Sequence, residues 1–591
     1  MKKTFLFSAL VLLVAVFAGC EGFLNQPAHD DFTDAEYWKN ETQVRTFVYG
    51  FYTSIFSGYG SGVSHGPFLM GQTSNDDFAS DAKQLDLTPL EVPETDGSWS
   101  FTNIRKANYV LENIHRIEAS DAVKDHWRGV ARFFRACYYS NLVFRYGDVP
   151  WYDRVPKLSN AKEDLDYLYK KRDSRSYVDS CIIADFNFAM QNVRANDGNL
   201  QVNKDVVAAM ASRFLLREGT FLKYHKLDLA MAEECLNMAK TAALEVMNSS
   251  KKYTIAPSYK SLFVSEDLSG NDEIIMYRKY EDGLLAHSTL AYSYKEAQSG
   301  LSRSFAESFV NADGFPIYYN NPNWKASTDK EFFANRDPRL LMSIRNQYCI
   351  KGQEPALFSY ALSGYAWNKF MDDKRAEEGE KNPTWDRERN TTDAPCLRYA
   401  EVLLNYAEAT YELHLLTGSP FTQQDLDLSI NLIRARKDVN LPPLQVLGDL
   451  PAINGVTFDD PKRLQIEQLA NGDITDPMLW EIRRERRVEL GLEGFRLNDL
   501  KRWCKLDYLW NGCNPDIRYG AYIRLSDYPN REAEEVVLED PKAKEGYILR
   551  NTDAERSRPI PRNYIQPIPK DQIDLYAKKG YTLSQNTEWG W

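Results

Sequence analysis

The stretch from Asp476 to Trp503, DPMLWEIRRERRVELGLEGFRLNDLKRW, decides the fold of this 591-residue chain. Asp476 predicts the N-cap of a helix, and Pro477 suits the first helical position because its missing N–H would have no partner there. Gly491 and Gly494 predict a break, after which an apolar spacing resumes. Before that break, one helical face changes from apolar to charged through Leu479, Ile482, Arg486, Glu489 and Glu493.

The charged part of this face is predicted to point into the protein. A buried charge is tolerable only when it is paired and hydrogen-bonded, and residues three apart on a helix can touch, so we expect Arg486 to contact Glu489. Such charges are typical of ion pairs that lock helices together. A catalytic role is the alternative.

The segment IRRERRVELGLEGFRLNDLKRW resembles the signature of the SusD/RagB family, which comprises glycan-binding outer-membrane lipoproteins of Bacteroidetes-type bacteria. Other segments are similar to the family in the same order along the chain, namely RFFRACYYSNLVFRYGDVP, NDEIIMYRKY, LRYAEVLLNYAEA and PIPKDQIDLYAKKGYTLSQN. The resemblance implies that the charged stretch is structural.

The composition excludes several classes of protein. With 43% hydrophobic residues the chain is globular and has enough apolar residues for a large core. Its net charge of −12, from 72 basic and 84 acidic residues, provides no basic surface for nucleic acid. Aromatic residues make up 13%, which suits flat contact surfaces and also a helical core.

Residues 1–19 are predicted to be a secretion signal. Lys2 and Lys3 begin it, and the apolar run that follows is too short to span a bilayer comfortably. Its end, Phe17-Ala18-Gly19-Cys20, resembles a bacterial lipobox, although Phe17 replaces the usual Leu or Val. We therefore predict that Cys20 is acylated and anchors the protein in the membrane without a transmembrane helix. An ordinary cleaved signal with an incidental cysteine is the alternative.

Seven further cysteines form no CxxC pair, and their odd number and frequent apolar surroundings predict that most are buried thiols. A disulfide between Cys504 and Cys513 is left open.

Amphipathic helices in pairs dominate the first half of the chain. They are predicted from about residue 33, then over Trp99 to Ile117, Asp121 to Tyr146, Tyr177 to Val193, Lys204 to Phe221 and Ala230 to Met247. Pairs at a spacing of roughly 35 to 50 residues look like tetratricopeptide-type units, which bury their faces by stacking.

The predicted fold class is mainly α, with a tetratricopeptide-like, SusD-like solenoid core and a loop-rich, irregular ligand-binding subregion. The predicted organisation is a signal over 1–19, an N-terminal helical region over 20–250 and a C-terminal region over 251–591. The C-terminal region includes the irregular ligand face, at about 253–395, and a helical core, at about 397–503. A strand is expected in NDEIIMYRKY.

Signals for catalysis are weak. Gly62 to Gly66, GVSHG, matches the G-x-S-x-G pattern, but a nucleophile elbow needs an apolar strand before it and a helix after it. The seven histidines have no zinc-binding spacing. The acidic loop with Asp76, Asp77 and Asp81 lacks the spacing of a calcium loop, so no cofactor is expected, although calcium remains possible. A carboxylate pair for glycoside hydrolysis is left open because its separation depends on the fold.

Saccharide binding needs aromatic faces with polar groups beside them, and aromatic residues in loops are better candidates than those at helical spacing. The predicted ligand residues are Tyr59, Asp76, Asp77, Trp99, Tyr292, Tyr294, Tyr319 and Trp324, with Tyr318, Asn320 and Asn321 as further candidates.

The resemblance implies a non-catalytic lipoprotein, anchored at the cell surface in the outer membrane. It would capture an oligosaccharide or polysaccharide and pass it to a SusC-like, TonB-dependent transporter. The alternatives are a binder of peptides or another nutrient, as in the RagB branch, and a lipid-anchored glycosidase.

Overall fold

The computed structural model describes residues 37–69, 74–79, 87, 89, 91–326, 328–355, 358–378, 387–550 and 557–590. Most of its regular structure is helical, which confirms the predicted fold class. The predicted secretion signal and Cys20 lie outside the described residues. The division at residue 250 stays a prediction.

The first half contains the long helices. They are α1 (Glu41–Ile55), α2 (Thr102–Asn113), α3 (Asp121–Tyr146), α4 (Lys162–Leu168), α5 (Arg175–Asn192), α6 (Lys204–Tyr224) and α7 (Leu229–Met247). Helix α2 packs against α3, α3 against α5, and α6 against α7, so helices that are neighbours in sequence are also neighbours in space. Their apolar faces form one large core.

Helix boundaries follow local signals. The Ser120 hydroxyl accepts a hydrogen bond from the Val123 amide at the start of α3, and Gly147, at φ +73°, ends the helix. The Asn203 side chain caps α6 in the same way, by accepting from the Val206 amide. These caps place the ends of α3 and the start of α6 at the predicted residues.

The middle of the chain is irregular, as predicted. Its short elements are α8 (Ser261–Val264), β1 (Ile274–Arg278), α9 (Thr289–Lys295), α10 (Arg303–Ala306), α11 (Asp329–Phe333), α12 (Arg339–Ser343), α13 (Asp373–Glu378) and β2 (Ala394–Arg398). Strand β1, which lies in the predicted segment, pairs antiparallel with β2. A second core, rich in aromatic residues, holds this region together.

Helices return after β2. The remaining elements are α14 (Tyr399–Thr417), α15 (Gln423–Asp427), α16 (Ile430–Arg434), β3 (Gln445–Leu447), β4 (Leu450–Ile453), β5 (Val456–Thr457), α17 (Pro461–Glu467), α18 (Pro477–Glu489), α19 (Arg496–Arg502), β6 (Tyr519–Arg524), β7 (Glu545–Leu549) and α20 (Lys570–Lys578). Helix α14 packs against α6, α7 and α18, so the charged stretch is joined to the N-terminal helices.

The last described segment folds back onto α3. The Gln566 amide donates to the Arg145 carbonyl, and the Asn586 side-chain amide donates to the Tyr146 carbonyl, at 3.0 Å. Cys504 and Cys513 are both free thiols. Within the described part of the chain, no helix is both long enough and apolar enough to cross a bilayer.

Candidate functional site

The charged face of α18 lies inside the protein, as predicted. Glu489 is completely buried and accepts hydrogen bonds from Arg398 at 2.6 Å, Arg436 at 2.8 Å and Arg339 at 3.1 Å. Burial alone would raise the pKa of Glu489, but these guanidinium groups outweigh it and hold the pKa well below its usual range.

The predicted contact between Arg486 and Glu489 is wrong. Arg486 donates to Asp499 of α19 and to Asn405 of α14, both at 2.9 Å. Glu493 binds Arg398 and Lys369, both at 2.7 Å. These ion pairs therefore join different elements, although Arg484 also pairs with Glu481 within α18, at 2.9 Å. Because these carboxylates are held by cations, the network fits the structural interpretation better than a general acid, which needs a raised pKa.

Asp76 and Asp77 form ion pairs with arginines of α18 and α19, and their role as ligand residues stays a prediction. Asp76 forms a two-oxygen pair with Arg496, at 2.6 and 2.7 Å, and Asp77 accepts from Arg487 at 2.8 Å. Both side chains are buried. Both carboxylates bind protein cations, and Asp76 also lines a small cavity of about 60 Å³ beside α18. Among the described residues no cluster of three or more histidine, cysteine or acidic side chains could hold a metal ion.

Tyr59 and Tyr318 are also buried. The Tyr59 hydroxyl donates to the Phe263 carbonyl at 2.9 Å, and its ring packs edge-on against Phe68. The Tyr318 hydroxyl donates to Glu307 at 2.6 Å. Tyr59 packs within the second core, whereas Tyr318 lines the same small cavity as Asp76, and a ligand contact at either ring stays a prediction.

Tyr292 lies between the core and the surface loop that contains the GVSHG segment. Its ring stacks on buried Trp367 at 5.7 Å between ring centres and contacts half-buried His65 at 4.5 Å. The loop itself is no nucleophile elbow, because Gly62 forms an isolated bridge with His287 and no helix follows over 61–69. The side chain of Tyr294 lies outside the described residues.

Tyr319 and Trp324 are half-buried rings of one loop segment, which we call the Tyr319 and Trp324 patch, and each packs against a different core. Tyr319 stacks on Phe315 at 4.9 Å with the rings nearly parallel, and Trp324 contacts Phe332 at 5.8 Å. Asn320 and Asn321 are exposed beside them. These residues stay candidates for ligand contact.

Trp99 lines a cavity of about 320 Å³ that joins three distant parts of the chain. Its aromatic walls come from the start of α2, the segment after α3 and helix α20, through Trp99, Phe101, Tyr152, Tyr169 and Tyr576. The volume lies in the range of small-molecule sites. We refer to this space as the Trp99 cavity.

The walls of the Trp99 cavity are fixed by edge-to-face ring contacts. Trp99 meets Tyr146 at 4.9 Å and Phe101 at 5.5 Å, and Tyr169 meets Tyr576 at 5.2 Å. Such contacts hold rings by their edges and preserve the shape of the cavity.

Some polar groups of the Trp99 cavity are hydrogen-bonded within the protein, and others are accessible from the cavity. Asn108 is buried; it accepts from Arg135 at 2.7 Å and donates to the Tyr152 carbonyl at 2.8 Å. Arg105 is exposed and Gln572 half-buried, and both line the cavity. A flat apolar wall with a guanidinium and an amide beside it is the combination that a sugar ring and its hydroxyls require.

Trp99 was predicted from the sequence as a ligand residue, whereas the other residues that line this cavity were not. Tyr576 and Gln572 lie in the PIPKDQIDLYAKKG segment, whose only signal in the sequence is its similarity to the C-terminal segment of the family. No local pattern pairs that segment with Trp99. The sequence also provided no indication of a larger groove of about 710 Å³ at the start of α6, the end of α7 and β1, which is lined by a mixture of polar and apolar side chains.

Comparison with known proteins identifies the class. Residues 273–589 match the family described as SusD family, and residues 72–216 match a family described as starch-binding associating with outer membrane. The chain therefore belongs to the SusD family.

Individual relatives are distant in sequence and similar in fold. The SusD-like protein P2 of Formosa agariphila is 22% identical over 510 residues, which cover 83% of this chain and 89% of that protein. A SusD-like carbohydrate-binding protein of Bacteroides fragilis is 20% identical with a TM-score of 0.63, covering 91% of this chain and 99% of its own. A laminarin-binding SusD-like protein is 18% identical with a TM-score of 0.53, covering 94% and 100%.

Proposed function

We propose that this protein is a lipid-anchored, outer-membrane binder of oligosaccharides or polysaccharides at the cell surface. It captures a glycan without cleaving it and delivers it to a SusC-like, TonB-dependent transporter. The observation that carries this proposal is the family membership, with a match over residues 72–216 to a family described as starch-binding and associated with the outer membrane.

The Trp99 cavity is the proposed contact site for one part of the glycan. Its aromatic walls provide apolar faces, and Arg105 and Gln572 provide a donor-only and a donor–acceptor group. Single sugar contacts are weak, so repeated contacts along a polymer and closeness to the transporter raise the effective affinity. The Tyr319 and Trp324 patch is a second place where a longer chain makes contact.

Affinity electrophoresis of the protein lacking residues 1–20, in gels that contain one polysaccharide each, tests this proposal. Retarded migration on one glycan without new reducing ends supports binding without cleavage. Release of reducing ends that one carboxylate substitution abolishes overturns it in favour of a glycosidase. Retardation on no glycan, with binding of peptides instead, favours a peptide-uptake protein.

Matched variants locate the site. Arg105→Ala together with Gln572→Ala removes the accessible polar groups, and Trp99→Phe shortens the aromatic wall. Trp324→Ala tests the second proposed contact outside the cavity, and Tyr177→Ala is the control, because Tyr177 is exposed and lines neither place. The cavity assignment predicts that the first two variants migrate faster than the wild type on the binding glycan, by more than Trp324→Ala does. If Trp324→Ala alone abolishes retardation, the site is the patch and not the cavity.

A further inference from the structure

A crevice of about 230 Å³ lies between the end of α1, the middle of α6 and the segment that follows α18. We call it the Arg217 crevice. Exposed Ser54, Asn141 and Asn498 are among its lining residues, so it opens to solvent. It is separate from the Trp99 cavity, with which it shares no lining residue.

Five arginines line this crevice, and all but Arg217 form close carboxylate pairs. The pairs are Arg213 with Glu401 at 2.6 Å, Arg398 with Glu493 at 2.7 Å, Arg486 with Asp499 at 2.9 Å and Arg502 with Glu408 at 2.6 Å. These four cations are neutralised by the protein itself.

Arg217 differs from them. In the part of the chain that the structure describes, no carboxylate lies within ion-pair distance of its guanidinium, which donates only to the Ser140 carbonyl at 2.7 Å and to Asn141 Oδ1 at 3.1 Å. The rings of Phe144 and Phe214 lie 4.4 and 4.8 Å from it. Its Nε is buried without a hydrogen-bond partner. The protein therefore solvates this cation incompletely.

The adjacent Glu218 lies outside ion-pair distance of Arg217, and its charge offsets only part of the effect of burial on the Arg217 pKa. Glu218 is committed to Arg175, with which it forms a two-oxygen pair that includes a contact of 2.9 Å. Burial lowers the pKa of Arg217 to about 9, so the group still carries its charge at neutral pH. The lining holds five arginines and three carboxylates, Glu401, Glu493 and Asp499, so it carries an excess of positive charge in a chain of net charge −12.

We propose that the Arg217 crevice binds an oxyanion, either a carboxylate or a sulfate ester, through the Arg217 guanidinium. A guanidinium matches the geometry of two oxygens on one planar or tetrahedral group better than an ammonium does. The amide of Asn141 and the exposed Ser54 and Asn498 side chains supply neutral hydrogen bonds at the entrance. If the proposed glycan binding holds, the ligand class extends to acidic sugars such as uronates or sulfated residues.

Isothermal titration of the mature chain with sodium glucuronate, with sodium sulfate and with glucose tests the crevice. Binding of glucuronate without sulfate assigns a carboxylate, binding of sulfate without glucuronate assigns a sulfate ester, and glucose is expected to give no signal at this site. Arg217→Gln is expected to weaken anion binding at least tenfold, and Arg217→Lys is expected to weaken it less, since the charge remains and the two-pronged geometry is lost.

Arg154→Gln is the matched control because Arg154 is an exposed arginine over an aromatic ring, 4.0 Å from the centre of Tyr167, away from the crevice. Far-ultraviolet circular dichroism checks that each variant is folded. Failure of the wild type to bind either anion overturns the proposal, as does equal binding by the wild type and Arg217→Gln. Should Arg217→Gln unfold, equal affinity of Arg217→Lys and the wild type would overturn it. None of these results depends on binding of neutral glycans, so the two proposals fail separately.

Discussion

The buried network around Glu489 and the Trp99 cavity use polar groups in opposite ways. Around Glu489, each carboxylate meets guanidinium or ammonium groups from other elements, and little polar capacity is left. At Trp99, rings are held by their edges, while exposed Arg105 and half-buried Gln572, whose amide donates to Asp571 at 3.0 Å, line the cavity. The difference teaches that a SusD-family interior can hold many charges as internal ion pairs, whereas contact with a ligand needs polar groups that remain accessible.

Glu489→Ala should disrupt the buried network around Glu489 and have the largest effect on the free energy of unfolding. It leaves three guanidinium groups buried without their shared carboxylate, which we expect to cost about 3–5 kcal/mol of unfolding free energy. Urea denaturation measures this. The control is Glu245→Ala, because Glu245 is exposed and its pair with Lys204 is a surface pair, so its loss should cost less than about 1 kcal/mol. Equal costs for the two variants would contradict the structural role of the network.

Acid should reveal a second buried polar group, His287. Its Nδ1 accepts from the Thr289 amide and its Nε2 donates to the Thr392 carbonyl, and burial lowers its pKa to about 3. As the pH decreases from about 6.5 to about 3, His287 takes up a proton in the unfolded chain but not in the folded chain. The free energy of unfolding therefore decreases as the pH decreases over this range.

His287→Gln removes this titration. As the pH decreases from 6 to 4, the free energy of unfolding of this variant should therefore rise relative to that of the wild type, by on the order of 1.4 kcal/mol per pH unit. Denaturation midpoints at several pH values measure the difference, and parallel curves for the two proteins would contradict it.

Asp179 differs from the paired carboxylates around Glu489. Both of its carboxylate oxygens are buried without a hydrogen-bond partner within the described chain. Burial and the neighbouring Glu218 charge raise its pKa well above the usual range. A raised carboxyl pKa means that stability is lost as pH rises through it. Asp179→Asn is therefore expected to stabilise the protein by about 1 kcal/mol at neutral pH, with no gain at low pH. Thermal unfolding at pH 7 and pH 3 checks both parts.

Gln572→Ala should have the smallest effect on stability, within about 0.5 kcal/mol, because the side chain lies at the cavity edge. Its effect should appear in glycan binding instead. Titration with the glycan identified by electrophoresis, together with thermal unfolding, separates the two. A large loss of stability with unchanged binding would place Gln572 with the structural network.

Local signals made much of the fold predictable. Ser120 and Gly147 bound α3 at the residues that the sequence indicated, and the charges of α18 are buried as expected. The partners of those charges were not predictable, because Arg486 pairs with Asp499 across a helix break and Glu489 pairs with residues from distant elements. For the same reason, the position of Tyr59 in a loop did not indicate that its ring is buried, because a contact with distant Phe263 holds it in the core.

Helix α20 makes the Trp99 cavity depend on contacts between distant parts of the chain. Trp99 and Tyr169 precede Tyr576 by 477 and 407 residues, so the cavity closes only when the C-terminal segment docks against the N-terminal helices. A chain that ends before α20 would retain Trp99, Phe101, Tyr152 and Tyr169 but would lack the wall that Tyr576 provides. The shape of the cavity therefore reports whether the two ends of the protein have come together.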